Sequence, residues 1–266
     1  MVPFVPAADI AAQDRSCTGF DRTLRMRVHR RGSGRSTPPA LVYFHPGRFV
    51  SGGLEEADAA ARALAERYGV AVITPAYSLA VECPFPAAAE DAYTALRWVH
   101  DNAGAGLWSA KRIAVIGHEA GGNLAAVAAM MARDRGGPHV VAQVLLSPML
   151  DPSLTSCSMR QAEEASRACG EAYHRYLPNT ADRLHPYAAP GLCTRLAQLP
   201  PALILTADDD PLRDEAQHYG AKLDAAGVHT RVARLDKAGW SAAAWREIGD
   251  FLEPLLAPAR GTPLHT

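Results

Sequence analysis

An excess of charge is the first thing this sequence lacks: 27 basic and 28 acidic residues leave a formal net charge of −1. No overall field therefore recruits nucleic acid or an acidic membrane. The one basic cluster, "RVHRRGSGR" (27–35), is broken by Gly and Ser and runs into "STPPA", as a solvated turn does. No run approaches the roughly 20 apolar residues that a membrane span needs. "MVPFVPAADIAAQDR" has no basic leader ahead of an apolar stretch of signal-peptide length. The five cysteines (17, 83, 157, 169 and 193) are scattered and form no CxxC pair. That argues for reduced thiols and against a disulfide scaffold or a zinc site, so a cytoplasmic location is expected. HExxH, a glycine-rich phosphate loop and GxGxxG spacing are all missing, and with them any reason to expect a metal or nucleotide cofactor.

What is present is an alternation of strands and helices. At 266 residues, 48% hydrophobic and 21% charged, the chain fits one large domain, 1–266. "TLRMRVHR" (23–30) alternates at period two, as a half-buried edge strand does. "ALVYFHP" (40–46), "VAVITPAY" (70–77), "RIAVIG" (112–117), "VVAQVLLSP" (140–148), "PALILTA" (201–207) and "HTRVARL" (229–235) read as short, mostly buried strands. Helical stretches lie between them at 54–68, 86–103, 121–134, 211–226 and 241–257. This pattern implies an α/β fold with a mostly parallel central sheet and helices on both faces. Residues 151–190, with a helical stretch at 159–177, are long for a connection. A short helical cap walling a pocket at the C-terminal edge of the sheet is the expectation there.

The segment "GHEAGGNLAA" (117–126) stands where an apolar strand meets an alanine-rich helix. Gly117, Gly121 and Gly122 have the spacing of a nucleophile elbow, a sharp strand–turn–helix bend that lifts its central side chain into the open. The centre here is Glu119. With "YSLAVECPFPAAAEDAYTALRWV" (77–99) and "LPPALILTADDDPLRDEAQHYGAKLDAAGV" (199–228), the chain resembles the hormone-sensitive-lipase-like bacterial esterases of the α/β-hydrolase fold over about residues 40–257. The resemblance implies an elbow serine, a histidine that takes its proton and an acid that orients the histidine. It further implies backbone N–H donors for an oxyanion. Position by position, Asp210 matches the acid, Gly47 and Arg48 match two loop donors, and Ala120 matches the donor after the nucleophile.

Three positions depart from that pattern. Glu119 stands at the serine position, and Trp240, in "LDKAGWSAAAW" (235–245), stands at the histidine position; no histidine follows until His265. The glycine-rich loop reads "HPGR", so Pro46 removes one N–H and Arg48 adds a cation. The family's N-terminal cap helices are also mostly absent, with only about twenty residues ahead of the first expected strand. Without serine and histidine, acyl-enzyme chemistry has neither nucleophile nor proton shuttle.

Two readings of Glu119 stay open. As a plug, it accepts N–H bonds from Gly47, Arg48 or Ala120 in the oxyanion site, or pairs with the Arg48 guanidinium. As an acid or base in a lidded pocket, it drives cyclisation, elimination or isomerisation of a small organic molecule. Trp240 offers a stacking face or fills space, and Phe49 and Tyr173 are expected to line the substrate pocket. Among the other cap side chains, Tyr176, Tyr187, His174 and His185, half should face solvent. Asp210, just before Pro211, serves equally as a helix cap. His45 is expected to brace its loop, and His118 to point away from its neighbour. The leading expectation is a repurposed, non-hydrolytic enzyme with Glu119 as acid/base. Its rivals are a pseudoenzyme that binds a ligand or protein partner and a weak hydrolase of reactive esters. A homodimer fits any of these; a nucleic-acid or membrane partner fits none.

Overall fold

The computed structural model describes residues 10–32, 37–104 and 107–258. Residues 33–35 of the basic cluster, residues 1–9 of the N-terminal stretch and His265 therefore lie outside the described residues. Eight strands form one sheet in the order β1-β2-β4-β3-β5-β6-β7-β8. They are β1 (Ile10–Thr18), β2 (Thr23–Arg31), β3 (Ala40–Phe44), β4 (Ala71–Pro75), β5 (Ile113–His118), β6 (Val140–Leu146), β7 (Ala202–Ala207) and β8 (Thr230–Leu235). The pairs β1/β2 and β2/β4 are antiparallel, and every other neighbouring pair is parallel.

Period-two alternation divides the core between the two faces of the sheet. In β3, Val42 and Phe44 face one side, while Leu41 and Tyr43 face the other. The first side is covered by α2 (Ala87–Asp101), α3 (Ala120–Asp134) and α6 (Arg213–Ala225). The second is covered by α1 (Leu54–Tyr68) and α7 (Ala242–Leu256). Apolar stripes on these helices supply the contacts, Ala57, Ala61, Leu64 and Ala65 on α1 and Ile248, Phe251 and Leu252 on α7. Between β6 and β7 the chain forms α4 (Cys157–Arg160), α5 (Glu163–Tyr176) and two 3₁₀ turns, Thr180–Leu184 and Pro190–Leu192.

Two strand expectations need correction. The stretch 23–30 does form β2, but β2 is not an edge, because β1 pairs along its whole length from Ile10↔Arg31 to Thr18↔Thr23. β1 shows almost no buried side chain and is held by its ladder and the Gly19–Arg22 turn. β8 is the opposite edge of the sheet and half open, with Val232 40% exposed. Among the described residues no helix is long and apolar enough to cross a membrane.

Candidate functional site

Everything that positions the site follows from the parallel strands ending together at one edge. β5 stops at His118, α3 begins at Ala120, and Glu119 alone makes the bend, at φ 57° and ψ −115°. A non-glycine residue with φ in the left-handed region carries strain, which such bends store where a side chain must be displayed. The backbone approaches so closely here that side chains are excluded. A Cβ on Gly121 would overlap the Phe44 carbonyl oxygen, and one on Gly117 would overlap the Gly121 carbonyl. Four backbone bonds clamp the apex: Glu119 N–H donates to Leu146 O (2.9 Å), while Glu119 O accepts from Gly122, Asn123 and Met149. The Asn123 amide then holds the Met149 and Ala188 carbonyls, so the loop after β6 is tied to the elbow.

The second half of the site is the loop after β3. Gly47, Arg48 and Phe49 follow one another at φ 127°, 51° and 66°, three left-handed residues in a row. Gly47 O closes the turn by accepting from Val50 N (2.9 Å) and Ser51 N (3.0 Å). His45 braces it from below: Nδ1 donates to Pro46 O at 2.7 Å, and the ring stacks on Tyr77 at 4.1 Å. Tyr77 Oη donates in turn to His45 O. Burial pulls the His45 imidazole below its ordinary pKa, with the Pro46 carbonyl opposing.

Into this bracket Glu119 delivers its carboxylate. Oε2 accepts from Gly47 N at 2.8 Å and from Arg48 N at 3.1 Å, and Oε1 accepts from Arg48 Nε at 3.2 Å. The two plug arrangements open from the sequence are thus realised together, one on each oxygen. The Arg48 side chain is 48% exposed and that of Glu119 only 19%, so the guanidinium is the outer layer. Ala120, the third expected donor, is buried and does not bond the carboxylate, because the side chain leans toward the β3 loop.

Asp210 holds the turn ahead of α6, whose own N-cap, Leu212, makes no side-chain cap bond. Its Oδ1 accepts from Leu212 N and its Oδ2 from Thr206 Oγ1, both at 2.9 Å. Trp240 packs edge-on against Tyr43 (5.8 Å) and His118 (6.4 Å) and stacks on Trp245 (4.6 Å). Burial lowers the His118 imidazole pKa, against the pull of the Glu119 and Asp210 charges. Phe49 and Tyr173, expected to line a pocket, belong to the core instead: both are 0% exposed. The physical reason is aromatic packing, since Phe49 lies flat on Tyr176 at 3.9 Å with Tyr173 6.0 Å away. In α5 and the segment after it, Tyr173 and Tyr176 turn inward while His174 and His185 face solvent.

One titratable group has no counterpart among the residues singled out from the sequence. Glu215, in the first turn of α6, is buried and accepts from Leu150 N at 2.7 Å through Oε1. Burial pushes its carboxyl up to about 8, opposed by the Leu150 N–H that it accepts. The available signal was its place on the buried stripe Glu215–Tyr219–Leu223. Among the described residues, no group of three or more His, Cys, Asp or Glu is placed to hold a metal ion.

A mostly parallel sheet, a left-handed apex between β5 and α3 and a donor loop after β3 together define an α/β hydrolase. Residues 41–242 match the alpha/beta hydrolase fold family, and the chain belongs to it. It is 43% identical to Esterase LipI of Mycobacterium tuberculosis over 206 residues, 73% of this chain and 62% of that protein. It is 40% identical to Carboxylesterase NlhH of the same organism, over 75% of this chain and 65% of the relative. The match thus spans less than two thirds of the length of either curated relative. Among solved structures, esterase LipW from Mycobacterium marinum superposes with a TM-score of 0.86 at 33% identity, covering 95% of this chain and 84% of the other. A hyperthermophilic esterase from Pyrobaculum calidifontis gives 0.83 at 36%, covering 92% and 85%. The chain is an α/β hydrolase related to carboxylesterases.

Proposed function

We propose that this chain uses the esterase scaffold for binding rather than for acyl-enzyme hydrolysis, with Glu119 as a built-in occupant of the anion site. One observation carries this reading: Glu119 Oε2 sits between the Gly47 and Arg48 N–H groups. Oxyanion stabilisation needs such donors free and aimed at the charge that develops during reaction. Here they already hold a carboxylate, and a second anionic oxygen at the same place meets a like charge. Trp240, at the position the resemblance gives to histidine, offers an indole N–H donor and no base. An acid/base role for Glu119 fits less well, because both of its oxygens already accept hydrogen bonds.

The ligand this reading implies is a small organic molecule with an anionic substituent. Arg48 is half exposed and spends only Nε on Glu119, which leaves the outer edge of its planar fork for a carboxylate or phosphate. A second reading, slow hydrolysis of reactive esters, is favoured by the relatives, which are named esterases.

Turnover of p-nitrophenyl acetate separates the two. Wild type at the level of a heat-denatured control, beside an active Glu119→Ser/Trp240→His double variant, supports the binding role. Wild-type turnover that disappears in Glu119→Gln overturns it and makes the carboxylate a participant in chemistry.

A further inference from the structure

At the end of the sheet away from Glu119, an open cleft of about 490 Å³ lies where the parallel strands begin. Pro38 and Pro39 lead into β3, Val70 into β4 and Arg112 into β5, while Arg30 and Arg31 close β2, which runs the other way. Three arginines thus converge on one concavity, and among the described residues no acid lines it. Period two sends Arg30 and Arg31 to opposite faces of β2, so their cations approach the cleft from different sides.

Part of this is ordinary helix design. Arg31 Nη2 donates to Glu66 O at 3.0 Å in the last turn of α1, and Arg112 Nη1 donates to Leu256 O at 3.0 Å at the end of α7. Cations are favoured at such ends. Arg112 Nη2 also donates to Thr37 O. These carbonyls fix two guanidinium groups in place, yet none carries a net charge to offset theirs. Arg30 makes no such bond among the described residues. Elsewhere Arg48, Arg133 and Arg135 each meet a carboxylate; among the described residues, none of the three cleft arginines does. Like charges gathered in a concavity with low-dielectric walls focus a positive field there, and the counter-charge is left to solution.

We propose that this cleft binds a diphosphate group, held between Arg30, Arg31 and Arg112. Guanidinium forks that arrive from different sides need an acceptor with oxygens on several sides. A carboxylate offers two oxygens in one plane, whereas each phosphoryl group offers three around a tetrahedron. The whole chain carries a net charge of −1, so the positive field is confined to the cleft and suits a small anion rather than a nucleic-acid strand. The walls formed by Pro38, Pro39 and Pro258 leave room for an organic group attached to the diphosphate. The site is independent of the binding role proposed for Glu119 and stands or falls separately.

Calorimetric titration of the full chain with inorganic diphosphate, orthophosphate, citrate and ADP, without divalent metal ions, tests it. Inorganic diphosphate is expected to bind saturably, and orthophosphate and citrate at least about tenfold more weakly. Arg30→Ala removes a cation but no bond made among the described residues, and is expected to weaken diphosphate at least about tenfold. Tighter binding of ADP than of inorganic diphosphate assigns the site to a diphosphate ester, and the reverse to the free anion; either supports it. No saturable heat with diphosphate, citrate binding as tightly, or unchanged affinity in Arg30→Ala overturns the proposal. Loss of binding in Arg48→Ala with none in Arg30→Ala overturns it too, and moves the anion to the loop beside Glu119.

Discussion

Two glutamates begin two helices of this molecule, and the fold treats them oppositely. Glu119 precedes α3 and gathers three donors, two backbone N–H groups and a guanidinium Nε. Glu215 enters the first turn of α6, is more deeply buried, and receives one donor on one oxygen. The favourable end of a helix dipole is common to both, so the dipole does not make the difference. Donor count does. A left-handed loop of three residues is bent to serve Glu119, while a single loop N–H serves Glu215.

The contrast breaks most violently at the backbone under Glu119. Gly121→Ala drives a methyl group into the Phe44 carbonyl, and about 3 kcal/mol or more of stability is expected to be lost in urea unfolding. Next comes the carboxylate itself. Glu119→Gln keeps one acceptor but turns an amide N–H₂ toward Arg48, with an expected loss of about 1–2 kcal/mol by the same measurement. Unchanged stability there would mean that the bracket is decorative.

Glu215 is expected to reveal itself in pH dependence. Its carboxyl titrates near 8 in the folded chain, against an ordinary value of 4.5 for a glutamate open to water, so the folded form holds the proton more tightly. Its contribution is fully present below about 4.5 and is lost as pH rises toward 8. Glu215→Gln should therefore flatten the decline in unfolding free energy across that window. An identical slope in wild type and variant would remove Glu215 from the account. The smallest effect is expected far from both acids, at Arg27, which bonds Asp14 at 2.7 Å on the surface of the β1–β2 hairpin. Arg27→Ala should cost at most about 1 kcal/mol, less in high salt.

The sequence carried the fold well where hydrophobic period decides structure. α1 forms over the expected 54–68, and β5, β6 and β7 lie largely within the stretches that read as strands. It failed at β1, because "IAAQDRSCT" has no apolar alternation and is a strand only by pairing with β2. The plug was legible as two options because Glu119 and Arg48 were visible; that one carboxylate satisfies both depends on how the elbow and the β3 loop meet in space. Phe49 reads as a pocket residue in the sequence, and nothing local announces that Tyr176, far along the chain, lies flat upon it.

The elbow is held by glycine backbones touching backbone, and none of those contacts consults the side chain at its apex. Position 119 is consequently a socket: whatever residue tolerates its left-handed turn is presented to the same loop after β3 on the same frame. Randomising that one codon would vary the displayed side chain on an unchanged backbone frame, at the cost of the three bonds the carboxylate makes.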